Sequence, residues 1–415
     1  MNPQKNHTRS LSRRKFLIAS TATTLTAASW SRAAGANSRI GVALVGCGIR
    51  GHEVMSRVLA TNRAELRCIC DIYDEHRRLA REELVAGQSP FETAAIEEAL
   101  AHPGVDAVLL AVPDHLHVTL GVMVLKANKH LYLEKPIAHH PDEHAALVDA
   151  AKDRHVVLQC GMQQRSGAHY RQAKEEIVDK GKLGQVLFVR GVWHDFPRQR
   201  RPFKSLPKPA GLDWERFLGP APKRPFEWMR YDSWRLFPDY GGGQLSDILT
   251  HWVDVAQWFM NEARPLDAVA TGGIYRLNDG RENPDTVSAI LRYAKNWNFN
   301  FECTLLPMPG VKPHVAFFGT EGSLEISRTN SIFRAARKHA VEVKATENLD
   351  GAHAANWLAA IAGTAPVNAD LAAGLSACDA VHLARAAYWS GKRAHYDGQG
   401  KLISASMPTS RAAHS

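Results

Sequence analysis

A doubly wound parallel α/β domain followed by an α+β domain is the fold this sequence predicts, and three observations predict it. Between residues 39 and 161, short apolar segments alternate with amphipathic ones, the pattern of parallel strands covered on both faces by helices. Beyond about residue 165, strand-like segments group together and two helices close the chain, which is α+β texture. A glycine motif, Gly46-Cys47-Gly48-Ile49-Arg50-Gly51, stands at the first strand-to-helix junction.

The elements follow in order. RIGVALV at 39–45 reads as a strand, and GCGIRG turns into a helix through about Ala60. A second strand runs over 65–71, with a charged helix after it to about Val85. A helix near 93–100 leads to the strand DAVLLAV at 106–112, then a helix at 115–127 and the strand KHLYLEKP at 129–136. A helix at 141–154 and the strand HVVLQCG at 155–161 complete the series. In the second half, a helix at 165–180 precedes a strand, GQVLFVRGVWHDF, and a Pro- and Arg-rich loop at 197–225. A triple glycine at 241–243 opens one long helix to about Met260. Residues 265–327 read as antiparallel strands with turns at Asn278-Asp279-Gly280 and Pro309-Gly310, and helices at 351–363 and 369–391 follow.

The ends are of a different kind. Residues 1–36 hold no acidic residue but carry Lys5, Arg9, Arg13, Arg14, Lys15 and Arg32. SRRKFL at 12–17, a weakly apolar run at 18–30 and the small-x-small site Ala34-Gly35-Ala36 resemble a twin-arginine export signal. Ile18 departs from it, since Lys is frequent there. The expected division is a signal at 1–36, a dinucleotide domain at 37–160, a substrate and oligomerisation domain at 161–400, and a frayed tail at 401–415. Six positive charges fall in the signal, so the formal +9 drops to about +3 for the rest, which removes the argument for a nucleic-acid partner. Six cysteines without metal-type spacing read as buried thiols, and no metal is expected.

The glycine motif carries a cofactor expectation. In a strand–turn–helix context G-x-G-x-x-G is a Rossmann fingerprint: Gly46 for the turn, Gly48 for approach of a pyrophosphate, Gly51 for helix–strand packing. Asp71 ends the second strand twenty residues later, where a carboxylate binds both ribose hydroxyls and repels a 2′-phosphate. NAD is therefore expected over NADP, with Arg77 and Arg78 assigned to the exposed face of the next helix.

Two further signals carry chemistry. Glu134-Lys135-Pro136 stands at the carboxyl end of a sheet strand, the side on which such folds bind ligands. In GGGQLSDILTHWVDVAQWF, Asp247, His251 and Asp254 share one helical stripe. That stripe lacks the Lys and Glu of a solvated face, and the triple glycine before it allows close approach of a ligand.

As a set, GCGIRG, Asp71, PDHLH at 113–117, EKP, D-x-x-x-H at 247–251, ENPDT at 282–286 and HAANWL at 353–358 resemble the glucose–fructose oxidoreductase, inositol dehydrogenase and rhizopine-catabolism (Gfo/Idh/MocA) family. The likeness covers essentially everything after the signal. It implies cofactor contacts at Gly46, Gly48, Ile49, Arg50, Gly51, Asp71, Pro113, His117, Glu134 and Lys135. It also puts Lys135, Asp247 and His251 against the nicotinamide. Asp114 departs from the family, where many members have Asn.

Oxidation of a secondary alcohol needs the hydroxyl proton removed as hydride leaves carbon. His251 is the expected base, Lys135 the donor to the reacting oxygen and Asp247 the orienting group, with Lys135 as proton acceptor the alternative. Substrate contacts are expected from Gln164, Arg165, Trp193, Trp234 and Asp254, with Gln163 and His194 as further candidates. A carbohydrate substrate, an exported location, twin-arginine machinery as partner and a homo-oligomer complete the reading. Two other functions stay open: redox-neutral NAD-dependent glycoside cleavage, and sugar binding without catalysis.

Overall fold

The computed structural model describes residues 39–200, 204–336, 339–397 and 400–403. The expected signal, and the tail from residue 404 on, lie outside them.

Six parallel strands, β1 (Ile40–Val45), β2 (Ala64–Cys70), β3 (Phe91–Thr93), β4 (Ala107–Leu110), β5 (His130–Leu133) and β6 (Leu158–Cys160), form a sheet in the order 3-2-1-4-5-6. Helices α1 (Ile49–Leu59), α2 (Asp74–Leu84), α3 (Ile96–Ala101), α4 (His117–Lys126) and α5 (His144–Ala151) join consecutive strands, and the reversal of order beside β1 is the doubly wound pattern. The helix expected near 93–100 begins only at Ile96, and Thr93 ends a strand. Phe91-Glu92-Thr93 is too short for a periodicity to show, and pairing with Cys68–Cys70 makes it a strand.

The second sheet has ten strands among the described residues, built on β7 (Val186–His194). β7 pairs parallel with β10 (Asn298–Thr304) and antiparallel with β11 (His314–Gly319). On one side lie β9 (Thr286–Arg292), β8 (Asp267–Gly273), β15 (Ala394–Tyr396) and β16 (Leu402–Ile403). On the other lie β12 (Gly322–Ile326), β13 (Asn330–Ala335) and β14 (Val341–Lys344). Leu402–Ile403 were expected to fray with the tail, but they pair with His395–Tyr396.

Two expected helices are interrupted. Residues 165–180 form a short 3-10 turn, α6 (Ala168–Ala173) and a π turn at Lys174–Val178. The long helix from the triple glycine is split at Ile248 into α9 (Gln244–Asp247) and α10 (Leu249–Met260). α10 and the closing α12 (Leu371–Ser390) cover one face of the large sheet, where Trp252, Phe259, Phe299 and Phe317 are buried to 2% exposure or less. Helix α11 (Leu349–Ile361) crosses back to the first sheet. Trp357 meets Tyr132 edge-on at 5.6 Å within a core that also holds Val42 and Leu44.

The loop after β7 contains α7 (Trp214–Leu218) and α8 (Trp228–Asp232) and also returns to the first domain. Asp213 N donates to Ile72 O at 2.9 Å, and Asp74 N donates to Gly211 O at 3.3 Å. Gly211 has φ +76, and a Cβ there would lie 2.3 Å from the Asp74 carboxylate. Trp214, Phe217, Leu218 and Tyr240 form a small separate core beneath this strap. All six cysteines are buried free thiols.

Candidate active site

The carboxyl ends of β1, β2, β4 and β5 open into a cleft of about 930 Å³, closed on its far side by the second domain. It runs from Asp71, His76 and Tyr231 at one end to Lys135, Asp247 and His251 at the other.

The glycine loop has room for a dinucleotide phosphate. Gly46 has φ +87, and a Cβ there would lie 2.5 Å from Ala111 O. A Cβ on Gly51 would lie 2.1 Å from Gly46 O, whereas one on Gly48 meets nothing within 4 Å. Packing therefore demands the outer glycines, and Gly48 faces open space at the start of α1, where free N–H groups favour an anion. Asp71 Oδ2 accepts from Cys47 N at 2.7 Å and Oδ1 from Tyr73 N at 2.9 Å, so the carboxylate braces this loop. His76 Nδ1 lies 3.4 Å from Asp71 Oδ1, and although burial opposes it, the carboxylate raises the imidazole pKa. Arg77 was placed on an exposed face; instead its guanidinium bends back to Asp71 O and Asp74. Arg78 does lie on the surface, between Glu75 and Glu82.

Arg50 pairs with Glu134 at 2.7 Å and with Asp350, from α11, at 2.8 Å. Glu134 also accepts from the Lys135 amide, and Gly161, just after the sixth strand, leaves room for its carboxyl, since a Cβ there would lie 2.8 Å from it. His117 lines the cleft, but its Nδ1 lies 2.6 Å from Pro136 O and its Nε2 2.9 Å from Val112 O. Its ring nitrogens therefore face the carbonyls of two loops at the cleft wall. Pro113 lines the cleft at the same loop.

Lys135 Nζ donates to Asp247 Oδ1 at 2.5 Å and to Asp247 O at 2.9 Å. Asp247 Oδ2 accepts from Gln199 Nε2 at 3.0 Å and faces Arg235 Nε at 3.3 Å. Burial opposes ionisation of Asp247, but Lys135 and Arg235 hold its carboxyl well below the usual range. His251 is driven the other way. Burial first, then Lys135 and Arg328, push its imidazole well below 6.5, so it is neutral. Its ring stacks on Trp193 at 6.0 Å, and Nδ1 has no hydrogen-bond partner.

The substrate candidates divide. Trp193 and Trp234 line the cleft, and Gln163 does so with a buried, unpartnered Oε1. Arg235 lies over the Trp234 ring at 4.1 Å, so one face of that ring is covered by a guanidinium. Gln164, Arg165 and Asp254 do not line the cleft. Arg165 pairs with the buried Asp254 at 2.8 Å and sits over Trp258, on a side of α10 that does not face the cleft. His194 is likewise outside, with Nδ1 accepting from Thr304 N. Sequence reasoning missed Gln199, Arg235 and Arg328, which come from distant loops, and Asp350, from the first turn of α11; only their charge or amide marked them.

Two family models match the chain. Residues 40–162 match the Gfo/Idh/MocA model described as an oxidoreductase family with NAD-binding Rossmann fold, and residues 170–325 match the Gfo/Idh/MocA C-terminal domain. Levoglucosan dehydrogenase of Pseudarthrobacter phenanthrenivorans is 27% identical over 243 residues, 54% of this chain and 55% of that protein. The 1,5-anhydro-D-fructose reductase of Ensifer adhaerens is 27% identical over 235 residues, 55% of this chain and 59% of that one. The matches to these relatives thus span little more than half of their length. Among solved structures, levoglucosan dehydrogenase with NADH and levoglucosan superposes with a TM-score of 0.67 at 18% identity, covering 88% of this chain and 99% of that one. Aldose-aldose oxidoreductase from Caulobacter crescentus with glycerol gives 0.67 at 19%, covering 86% and 99%. These two likenesses carry the fold.

Proposed function

The chain belongs to the Gfo/Idh/MocA family of oxidoreductases, and on that premise we propose that it oxidises a secondary alcohol of a sugar, polyol or cyclitol with a tightly held NAD. The observation that carries this reading is Lys135, paired with Asp247, standing beside a neutral His251 at the end of a cleft that begins in the glycine loop.

NAD, when bound, supplies the hydride acceptor. Gly48 and the first amides of α1 would hold its pyrophosphate, and Asp71 its ribose. Lys135 uses two of its three N–H bonds on Asp247, which aims the third at the reacting oxygen. Its charge stabilises negative charge developing there. His251, kept neutral, offers a lone pair to take the hydroxyl proton. Asp247 is saturated by Lys135, Gln199 and Arg235 and acts as an orienting anion.

The basic segment at 1–36 supports export by the twin-arginine route, which carries folded proteins. Outside the cytoplasm no free nicotinamide pool is expected, so the cofactor must be recycled in place, either by a second sugar or within one substrate that is oxidised, cleaved and reduced. The test is mass spectrometry of protein from the exported fraction, then single-turnover mixing with levoglucosan, myo-inositol and glucose. Bound NAD that becomes NADH is the expected result. Sugar binding without any NADH formation would make the chain a binding protein, and protein lacking dinucleotide would overturn the cofactor reading.

A further inference from the structure

The turn between β8 and β9 concentrates polar contacts that hydride transfer does not by itself require. Arg281 is 1% exposed in its side chain, a costly place for a guanidinium, and its Nη1 has no hydrogen-bond partner among the described residues. Asp279 answers it, with Arg281 Nε and Nη2 donating to the two carboxylate oxygens at 2.7 and 2.6 Å. Nη2 also donates to the backbone oxygen of Gln199 at 2.7 Å. Asn283 Nδ2 donates to Arg235 O at 2.8 Å and to Gly241 O at 2.9 Å. The amides of Glu282 and Asn283 both donate to Leu236 O. One short turn thus grips the loop that ends at Gln199, the Arg235-Leu236 wall and the start of the triple glycine. Asp279, Arg281 and Asn283 themselves do not line the cleft.

We propose that Gln199 and the turn at 279–283 form a positioning unit for Asp247 and, through it, for Lys135. Gln199 is buried, and its amide holds Asp247 Oδ2 while Lys135 holds Oδ1. Without that amide, Oδ2 turns toward Arg235, 3.3 Å away, and the carboxylate plane that aims Lys135 rotates with it. Arg281 keeps the Gln199 backbone where its side chain can reach, and Asp279 keeps the Arg281 charge paired. The inference rests on Lys135 acting at the reacting oxygen, so one arm of its test is independent of turnover.

That test uses the full chain loaded with NAD, in the variants Gln199→Leu, Arg281→Gln and Arg281→Lys. Acetylation of Lys135 by an amine-reactive ester, followed by peptide mass spectrometry, reads the Lys135–Asp247 pair directly. Gln199→Leu and Arg281→Gln are expected to speed that labelling several-fold. On whichever of levoglucosan, myo-inositol or glucose the parent oxidises, they should lower the single-turnover rate of NAD reduction about 10- to 100-fold with little change in the half-saturating sugar concentration, the scale of a small misplacement of a catalytic group. Arg281→Lys, which keeps a cationic donor for the Gln199 carbonyl, should recover part of both effects. A merely structural turn would lower the melting temperature and leave Lys135 labelling and the single-turnover rate unchanged in the folded protein, and that result overturns the proposal. If Arg281→Gln does not fold, Gln199→Leu decides alone. If the parent oxidises none of the three, the Proposed function fails on its own, and labelling still decides this inference.

Discussion

Asp71 Oδ2 accepts the amide of Cys47 at 2.7 Å, so the carboxylate at the end of β2 and the glycine loop after β1 are one unit. Asp71→Ala is therefore expected to disturb the phosphate loop as well as ribose recognition. Asp71→Asn keeps an acceptor oxygen for Cys47 N, gives up the one for Tyr73 N, and so disturbs the loop less than Ala does. It should weaken NAD binding by roughly ten-fold, the value of one charge-assisted hydrogen bond, with a smaller loss for NADP. Equal losses for the two cofactors by calorimetry would remove Asp71 from the ribose.

Gly48 and Gly51 separate cofactor binding from folding. A Cβ at position 48 meets open space, and one at 51 meets Gly46 O at 2.1 Å. Gly48→Ala should melt like the parent yet purify with little NAD, whereas Gly51→Ala should lose stability or fail to fold. Parental NAD content in Gly48→Ala would mean that the phosphate does not approach there.

Lys135→Ala and His251→Ala should each slow single-turnover reduction of bound NAD by roughly two to four orders of magnitude. The double variant should lose less than the product of the two, since groups acting together are non-additive. Near-parental rates in both single variants, on a sugar the parent oxidises, would remove these residues from the chemistry.

The pH dependence follows from burial. His251 is held well below 6.5 by burial, then by Lys135 and Arg328, so it stays neutral from pH 8 to 6. Hydride transfer should be flat over that range, where a base with an ordinary imidazole pKa would lose roughly four-fold. Stability behaves differently. Burial lowers His115, His140 and His353 to about 4. A folded pKa below the unfolded one gives stability that is present above pH 6.5 and is lost as pH falls toward 4, by about 1.4 kcal/mol per unit for each fully buried group. Guanidinium midpoints should be level from pH 8 to 7 and decline below 6.5. A level midpoint down to pH 5 would contradict the burial of these rings.

Much of this site was legible because local backbone geometry dictates it. Gly46 needs a positive φ, a strand of this kind ends at its ligand, and Asp247 and His251 both reach the cleft. What stayed hidden depends on tertiary folding. Asp254 stands one turn beyond His251 on the same helix, but there it is buried against Arg165 and not in the cleft. Gln199, Arg235 and Arg328 sit in loops without periodicity, and only the assembled domains bring them to Lys135. His117 was legible as a cleft residue, but not its two carbonyl partners, one of them nineteen residues away.

The strap of residues 211–213 over β2 and α2 has a kinetic consequence. A dinucleotide lying between Asp71 and Tyr231 has a wall from each domain on either side of its adenosine half. Its departure then waits on the parting of backbone bonds and on exposure of the Trp214–Tyr240 aromatic core to water. Residence time is in that case governed by an opening rate of the protein, and the half-life of the loaded state and its affinity become separately adjustable quantities.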